Sequence, residues 1–283
     1  MFILKKMILI ILVLTVNSFL FGTSIDWQLG ARPQGMGSAF TALVDDVNAC
    51  YWNAAGLPQV KKDETIGMYK FSDLGYNFNY FAHVHPLKNS AIGLSWSNVT
   101  GTLKQGREEE KSKMIDDVFS LGYGLKITDA FFLGLNVKRF SINSKIGGGA
   151  GLGLDLGFLF FPYENFSIGM VGKNISSDVK NEIAPCSYRI GTAIRFLENK
   201  LKCSLDVVTK SEVEDKKLNV FLNFGVEYQI IKIFALRAGM EKNNPCVGVG
   251  IQYNQYKIDY AYLSSKINEA PHVISLSIIW GGK

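Results

Sequence analysis

The chain has 283 residues with a formal net charge of +5, and 47% of its residues are hydrophobic, with 28 glycines against 7 prolines. This composition excludes intrinsic disorder and is typical of many short strands joined by tight turns. The mild basicity predicts no nucleic-acid partner, and no Pro/Gly/Ser-rich linker divides the chain into two domains.

Residues 1–24 have the organisation of a secretory signal peptide. Lys5 and Lys6 precede an unbroken apolar run over residues 7–16, and the segment ends in the small residues Gly-Thr-Ser. A retained membrane anchor is the alternative, but the run is short for a membrane span and no positive stop-transfer cluster follows it. We therefore predict cleavage, which removes both lysines and no acid and lowers the net charge from +5 to +3.

Residues 25–60 form the next predicted unit. The stretch 29–57 lacks the two-residue alternation of strands and combines small residues, glycine turns and the acidic pair Asp45-Asp46. Such short helical or irregular pieces are too small to form a core of their own, so they need an enclosing wall. The lumen of a wide barrel supplies one, and we predict that this unit folds there as a plug.

From about residue 64 onward the chain repeatedly alternates apolar with polar or small residues, as a strand with two different faces does. In the stretch 151–161, for example, Leu152 and Leu154 share one face, while Gly153 and Asp155 share the other. We predict fourteen strands, at 64–71, 76–85, 90–97, 117–126, 131–142, 151–161, 165–174, 187–196, 200–208, 218–229, 233–240, 246–253, 255–263 and 272–280.

A soluble β-sandwich would show the same alternation, so further features have to place these strands. One face is rich in glycine and carries charges of both signs, as expected for a narrow, hydrated lumen, and the apolar face often ends in aromatic residues. Short links alternate with longer polar ones, such as 98–116 and 241–245, and the link 72–75 is the exception. No apolar stretch after the signal is long enough for a transmembrane helix. The predicted fold is all-β, a closed antiparallel transmembrane β-barrel over residues 61–283.

Seven charged residues fall on the small, polar face of the predicted strands. Charges in a confined space persist only when they are paired or hydrated. We therefore predict that several of them form ion pairs across strands or with the N-terminal unit, and that the lumen is occluded. They are Asp155, Arg189, Arg195, Asp206, Glu227, Arg237 and Asp259.

A specific motif runs through the N-terminal unit. It consists of Gly-Ala-Arg-Pro-Gln-Gly-Met-Gly at 30–37, Ala-Phe at 39–40, Asp-Asp at 45–46 and Tyr-Trp-Asn-Ala-Ala-Gly-Leu at 51–57. This motif resembles the N-terminal signature of the FadL-like outer-membrane β-barrels, in particular the PorV/PorQ-type branch. Ala54 replaces the proline that is usual there, which leaves the local backbone less restricted. The resemblance implies a fourteen-stranded barrel with a plug, in the outer membrane of a diderm bacterium.

No catalytic motif stands out in the sequence. His83 and His85 share a strand face, but no carboxylate or cysteine is near them in sequence, which favours rim or lumen roles over a metal site. The four cysteines show no CxxC spacing, and neither a G-x-S-x-G elbow nor a phosphate loop occurs. We predict no enzyme activity, no cofactor and no metal.

Two functions fit the predicted barrel. The resemblance implies passage of hydrophobic small molecules such as fatty acids through a barrel that also contacts outer-membrane lipid. The alternative is a PorV-like docking platform for a secretion system or for surface proteins, through which no solute passes. A moving plug would need its hinge or latch where the N-terminal unit joins the first strand, and a static unit would only cap the barrel there. The residues at this place are Tyr51, Trp52, Asn53, Ala54, Ala55 and Gly56.

Overall fold

The computed structural model of the protein describes residues 27–71, 76–104, 111–143, 149–179, 186–211, 218–264 and 272–281. The predicted signal peptide and residues 25–26 of the predicted plug lie outside these ranges. In this part of the chain, fourteen strands form one closed antiparallel barrel. The strands are β1 (Asp63–Phe71), β2 (Tyr76–Pro86), β3 (Ser90–Lys104), β4 (Lys111–Lys126), β5 (Phe131–Asn143), β6 (Gly149–Tyr163), β7 (Phe166–Val179), β8 (Ser187–Phe196), β9 (Leu201–Ser211), β10 (Leu218–Ile231), β11 (Phe234–Glu241), β12 (Asn244–Tyr253), β13 (Tyr256–Leu263) and β14 (His272–Trp280).

Closure of the barrel joins the first strand to the last. Each strand pairs with its neighbours in the chain, and β1 also pairs with β14, so that Asp63 lies opposite Trp280 and Phe71 lies opposite His272. A closed sheet has no free edge, and its backbone N–H and C=O groups find partners on both sides. This arrangement meets the hydrogen-bonding requirement that lipid imposes on a spanning structure.

All fourteen predicted strands are confirmed, and the differences concern their ends. The predicted link 98–116 is largely strand, because β3 continues to Lys104 and β4 begins at Lys111, with Thr102 still opposite Lys113. Alternation of apolar residues marks only the part of a strand that faces apolar surroundings. It therefore does not predict strand pairing that continues through polar residues. The predicted long link 241–245 is a two-residue turn at Lys242 and Asn243, which have φ of 47° and 73°, as in hairpin turns with positive φ at both central residues.

The two faces of the strands are as predicted. Leu152, Ile190, Leu222 and Ile258 are exposed on the outside of the barrel. Their polar strand neighbours are buried on the inside; Glu227, for example, is only 5% exposed. An outer face built from large apolar side chains suits contact with lipid.

The connections distinguish the two ends of the barrel. One end carries the short links at 87–89, 127–130, 164–165, 197–200, 232–233 and 254–255, and we call it the short-turn end. The opposite end carries the other connections, most of them longer, and we call it the long-loop end. Residue 60 leads into β1 at the short-turn end.

The hydrophobic core lies inside the barrel, around residues 27–60, which we call the N-terminal segment. This segment contains the short helices α1 (Ala31–Gly35) and α2 (Ala49–Trp52) and a 3-10 helix (Ala54–Gln59). Phe40, Leu43, Trp52 and Leu57 are fully buried and belong to this core. Within the described residues, no helix has the length and apolar character needed to cross a membrane.

Candidate functional site

Inward-facing glycines of the strands meet the backbone of the N-terminal segment. A Cβ atom on Gly134 would lie 2.0 Å from the backbone nitrogen of Ala55, and one on Gly169 would lie 2.3 Å from the carbonyl oxygen of Thr41. The glycine-rich face had suggested a hydrated lumen, and that expectation is wrong at these positions. These glycines are buried against the segment because only a residue without a side chain permits so close an approach.

The guanidinium of Arg32 binds several carboxylates near the short-turn end. Arg32 of α1 donates to Asp45 at 2.6 Å and to Asp46 at 2.7 Å. It also forms a two-pronged pair with Glu227 of β10, at 2.7 and 2.8 Å. The planar fork of arginine suits such bidentate binding. Arg32 thereby links the acidic pair of the segment to the wall of the barrel.

Further ion pairs extend this contact around the inner wall. Lys202 of β9 lies 3.0 Å from Asp45, and Lys257 of β13 lies 3.2 Å from Asp46. Along the wall, Arg237 contacts Glu227 at 2.7 Å and Asp259 at 2.8 Å. The set has four cations and four carboxylates, and all of them except Asp259 line a polar cavity of about 240 Å³ at the short-turn end. We call it the charge network: Arg32, Lys202, Arg237, Lys257, Asp45, Asp46, Glu227 and Asp259.

The charge network holds the two aspartates of the segment ionised. Burial by itself would raise the pKa of Asp45, but the charges of Arg32 and Lys202 outweigh burial and bring the pKa well below its usual range. Burial opposes ionisation of Asp46 as well, and Lys257 and Arg32 lower its pKa overall. Both carboxylates are therefore negative near neutral pH and bind the segment to the wall through charge.

The other inward charges contact the segment or neighbouring strands. Asp206 of β9 accepts hydrogen bonds from the backbone N–H groups of Phe40 and Thr41, each at 3.1 Å, and from the Thr41 hydroxyl at 2.6 Å. Arg195 donates to the Leu43 carbonyl at 3.3 Å. The Arg189 guanidinium carbon lies 5.0 Å from the ring centre of Trp52. These three charges hold the segment against β8 and β9.

Asp155 makes its contacts within the wall, as Arg237 and Asp259 also do. Its carboxylate lies 2.6 Å from the ammonium of Lys138 on β5. It also accepts the backbone N–H of Asn174 on β7 at 2.8 Å. Asp155 therefore joins three neighbouring strands.

Hydrogen bonds and a cation–π contact hold the motif over residues 51–56 in place. The ring nitrogen of Trp52 donates to the Leu29 carbonyl at 2.8 Å, and the Lys173 ammonium lies 3.5 Å from the ring centre of Tyr51. Asn53 donates to the carbonyl oxygens of Phe158 on β6, at 3.1 Å, and Met170 on β7, at 3.4 Å. The side chain of Asn53 thus binds two strands at once.

The remaining residues of this motif pack closely. The backbones of Ala54 and Ala55 lie against Gly134, as described above. Gly56 lacks the positive φ that Gly30, Gly37 and Gly281 have among the described glycines. The structure gives Gly56 another role, since a Cβ there would lie 2.3 Å from the carbonyl oxygen of Val44.

An apolar patch on the inner wall at the long-loop end was not predicted from the sequence. On β5 the buried face carries Asn136 and Lys138 and then continues with Phe140 and Ile142. This change from polar to apolar along one strand face was the signal that could have revealed the patch. Its side chains are apolar and largely buried, and Trp27 packs against Val118, Phe140 and Ile142 and against the ring of Phe78. We call this set the inner apolar group: Trp27, Phe78, Val99, Val118, Phe140 and Ile142.

Solved structures with the same fold include several channel proteins. A FadL homologue of Pseudomonas aeruginosa aligns over 92% of this chain and 99% of its own, with a TM-score of 0.64 and 12% identity. The TodX monoaromatic hydrocarbon channel, as a deltaS2 mutant, aligns over 91% and 100%, with a TM-score of 0.73 and 13% identity. The CymD monoaromatic hydrocarbon channel aligns over 92% and 100%, with a TM-score of 0.68 and 13% identity. No protein-family model matches the sequence, and neither does any curated protein.

The similarity at these identities establishes a shared fold. The FadL-like fold expected from the N-terminal motif is thus confirmed for a barrel of fourteen strands. The PorV/PorQ-type branch stays a prediction, since the motif alone supports it.

Proposed function

We propose that this protein is an outer-membrane channel for hydrophobic small molecules, and that the N-terminal segment is its plug. The inner apolar group carries this proposal. Inward-facing positions of a membrane barrel are ordinarily polar or small, yet Phe140, Val118 and Ile142 are apolar and point inward beside Trp27. An apolar surface at this place suits a solute that must leave a polar exterior.

The inner apolar group would bind its solute through the hydrophobic effect. Each methylene group removed from water contributes about 0.8 kcal/mol, so a chain that buries four of them gains roughly 3 kcal/mol. The ammonium of Lys70 lies 5.1 Å from the ring centre of Phe78 and borders the group. A cation at this border suits a solute with an apolar body and an anionic end, as a fatty acid has.

The location and the fold neighbours support the same proposal. The outer face of the strands is a band of large apolar side chains, which suits a bacterial outer membrane and contact with its lipid. The neighbours TodX and CymD are named as monoaromatic hydrocarbon channels. Transport of small hydrophobic molecules is the function that joins this fold to an apolar inner group.

Passage requires the plug to rearrange. The charge network ties it near the short-turn end, and Asn53 ties it to the carbonyls of Phe158 and Met170. Tyr51 to Gly56 act in this proposal as a latch on β6 and β7. Release of the Asn53 contacts would weaken the attachment of the segment to these two strands while the charge network still holds Arg32.

The same contacts favour a second candidate function, a docking platform of the PorV/PorQ type. Arg32, Asp206 and Asn53 hold the segment on different strands, and a platform needs no open path through its barrel. In this alternative a secretion system or a surface protein binds outside the membrane and the segment remains static.

A binding experiment tests the role of the inner apolar group. Phe140→Ala removes a fully buried inner ring, whereas Phe160→Ala removes an outward ring that is 40% exposed on the adjacent strand. We expect Phe140→Ala to weaken binding of a radiolabelled medium-chain fatty acid and of toluene by tenfold or more, with Phe160→Ala unchanged. Equal affinities for both variants would exclude the inner apolar group as the binding site.

A deletion tests the plug and separates the two functions. Removal of residues 29–57 is expected to leave a folded barrel with raised permeability to small polar dyes in proteoliposomes. Circular dichroism and heat-modified electrophoretic mobility would verify folding of the deleted protein. A folded barrel with unchanged permeability would refute the plug and favour the docking platform.

A further inference from the structure

A cluster of two histidines and one carboxylate lies on the outer wall at the short-turn end. Asp63 begins β1, and His83 and His85 lie near the end of β2. The sequence places Asp63 twenty residues before His83, which is why no carboxylate was expected beside the histidines. Antiparallel pairing of β1 with β2 brings them together.

The distances within this cluster suit a metal ion. Asp63 Oδ1 lies 2.7 Å from Nδ1 of His85 and 3.6 Å from Nε2 of His83. One ligand atom from each of the three residues falls within 4.8 Å of the others. Two ligands bound tetrahedrally at about 2.0 Å from a zinc ion lie about 3.3 Å apart. The two observed distances bracket that value, and the third pair of ligand atoms lies within 4.8 Å.

The surroundings orient the ligand atoms. The hydroxyl oxygen of Thr65 lies 2.8 Å from Nδ1 of His83, which leaves Nε2 of that ring directed towards Asp63. A hydrogen bond at the second ring nitrogen is what positions histidine ligands in most metal sites. The His83 ring also stacks on Trp280, with centres 5.5 Å apart and planes inclined by 20°. His83 is therefore held in place before any ion binds.

The ligand set indicates the class of ion. Imidazole nitrogens suit zinc and other late first-row metals, whereas magnesium and calcium prefer oxygen ligands. Two histidines and one carboxylate can bind Zn²⁺, with water as the fourth ligand. His85 is 55% exposed, so an ion has access to the cluster from solvent.

We propose that Asp63, His83 and His85 form a Zn²⁺ site that cross-links β1 and β2 beside the seam of the barrel. The seam is the pairing of β1 with β14, where Asp63 lies opposite Trp280. A bound ion holds the start of β1 to the end of β2 at the end of the barrel where the chain enters the sheet. This site lies on the outer wall and is separate from the inner apolar group and the charge network.

Calorimetric titration of the untagged protein in detergent with Zn²⁺ tests this proposal. We expect one ion per chain, with affinity lowered at least tenfold by His85→Ala and by Asp63→Asn. His272→Ala is the matched control, because His272 on β14 contacts Tyr260 instead of this cluster. We also expect Zn²⁺ to raise the unfolding temperature of the wild type but not of the Asp63→Asn/His85→Ala double variant, since an ion that binds the folded state stabilises it.

Three results would overturn the proposal. They are absence of saturable Zn²⁺ binding to the wild type, equal binding by the double variant, and an equal loss of affinity in His272→Ala. Because His85 is exposed, its replacement leaves the packing of the barrel intact, and unchanged circular dichroism of each variant would verify this.

Discussion

Addition of one methyl group at Gly134 should push the N-terminal segment away from the wall. The new Cβ would lie 2.0 Å from Ala55 N and 2.3 Å from Ala54 C, and both are backbone atoms that cannot turn aside. The segment would have to withdraw by roughly 1.4 Å before the nearest contact reached an ordinary 3.4 Å. Overpacking of this kind costs about 1–3 kcal/mol.

Gly67→Ala provides the matched control for this substitution. Gly67 lies within β1, faces outward, and has no atom within 4 Å of the position that a Cβ would occupy. Both substitutions remove the flexibility of a glycine from a strand, an effect of about 0.5–1 kcal/mol. The difference between the two variants therefore isolates the collision with the segment, which we expect to cost about 2 kcal/mol.

Urea unfolding in lipid vesicles measures that difference in free energy. The reactivity of Cys50 shows whether the loss concerns the attachment of the N-terminal segment. Cys50 lies in α2 and is 3% exposed, so in a protein with its other cysteines changed to serine it should react slowly with a thiol reagent. A loss of about 2 kcal/mol in the attachment of the segment would raise the reaction rate roughly 30-fold. Equal unfolding free energies and equal Cys50 rates in the two glycine variants would refute this account of the packing.

Three further predictions concern charge and the outer face. Arg32→Met leaves carboxylates of the charge network without their shared partner and should lower the unfolding free energy by about 3–5 kcal/mol. Lys126→Met removes an ion pair with the exposed Asp129 and should have no measurable effect, so similar urea midpoints for the two variants would contradict the prediction. The pKa values of Asp45 and Asp46 are lower in the folded state, so their stabilising effect should be complete well above pH 4, the usual pKa of an unfolded aspartate, and should decline as the pH falls below it. Urea midpoints between pH 6 and pH 3 measure this decline, and an equally steep decline in Arg32→Met would show that the ion pairs with Arg32 do not cause it. Ile190→Lys on the outer face should cost about 2–4 kcal/mol if it lies near the midplane, and Leu197→Lys in a short turn about 0–1 kcal/mol; equal costs would show that Ile190 does not face lipid.

The outer face and the strand positions could be predicted because they depend on neighbouring residues. An apolar residue at every second position places one face in lipid whatever the partner strand is, so Leu222 and Ile258 could be assigned without knowledge of the register. The same rule placed Asp155 and Glu227 on the inner face. The rule fails where the surroundings change along a strand, as at Phe140 and Ile142, or where a ladder continues through polar residues, as from 98 to 104.

Contacts between distant parts of the chain could not be predicted in this way. Arg32 and Glu227 are 195 residues apart, and closure of the barrel with its register decides that they meet. The glycines of the inner face were expected to line a hydrated lumen, but Gly134 and Gly169 pack closely against the backbone of the N-terminal segment. The sequence shows that these positions have small residues, but it does not show which part of the chain packs against them.

The sequence by itself determined the alternation of the strands, their approximate ends, the inward charges and the family-like motif at 30–57, because each of these is a property of neighbouring residues. Tertiary structure alone decided which carboxylate meets which cation, where the apolar patch of the inner wall lies, and that Asp63 joins His83 and His85. The physical reason is that antiparallel register and barrel closure set these distances, and both result from the pairing of all fourteen strands together.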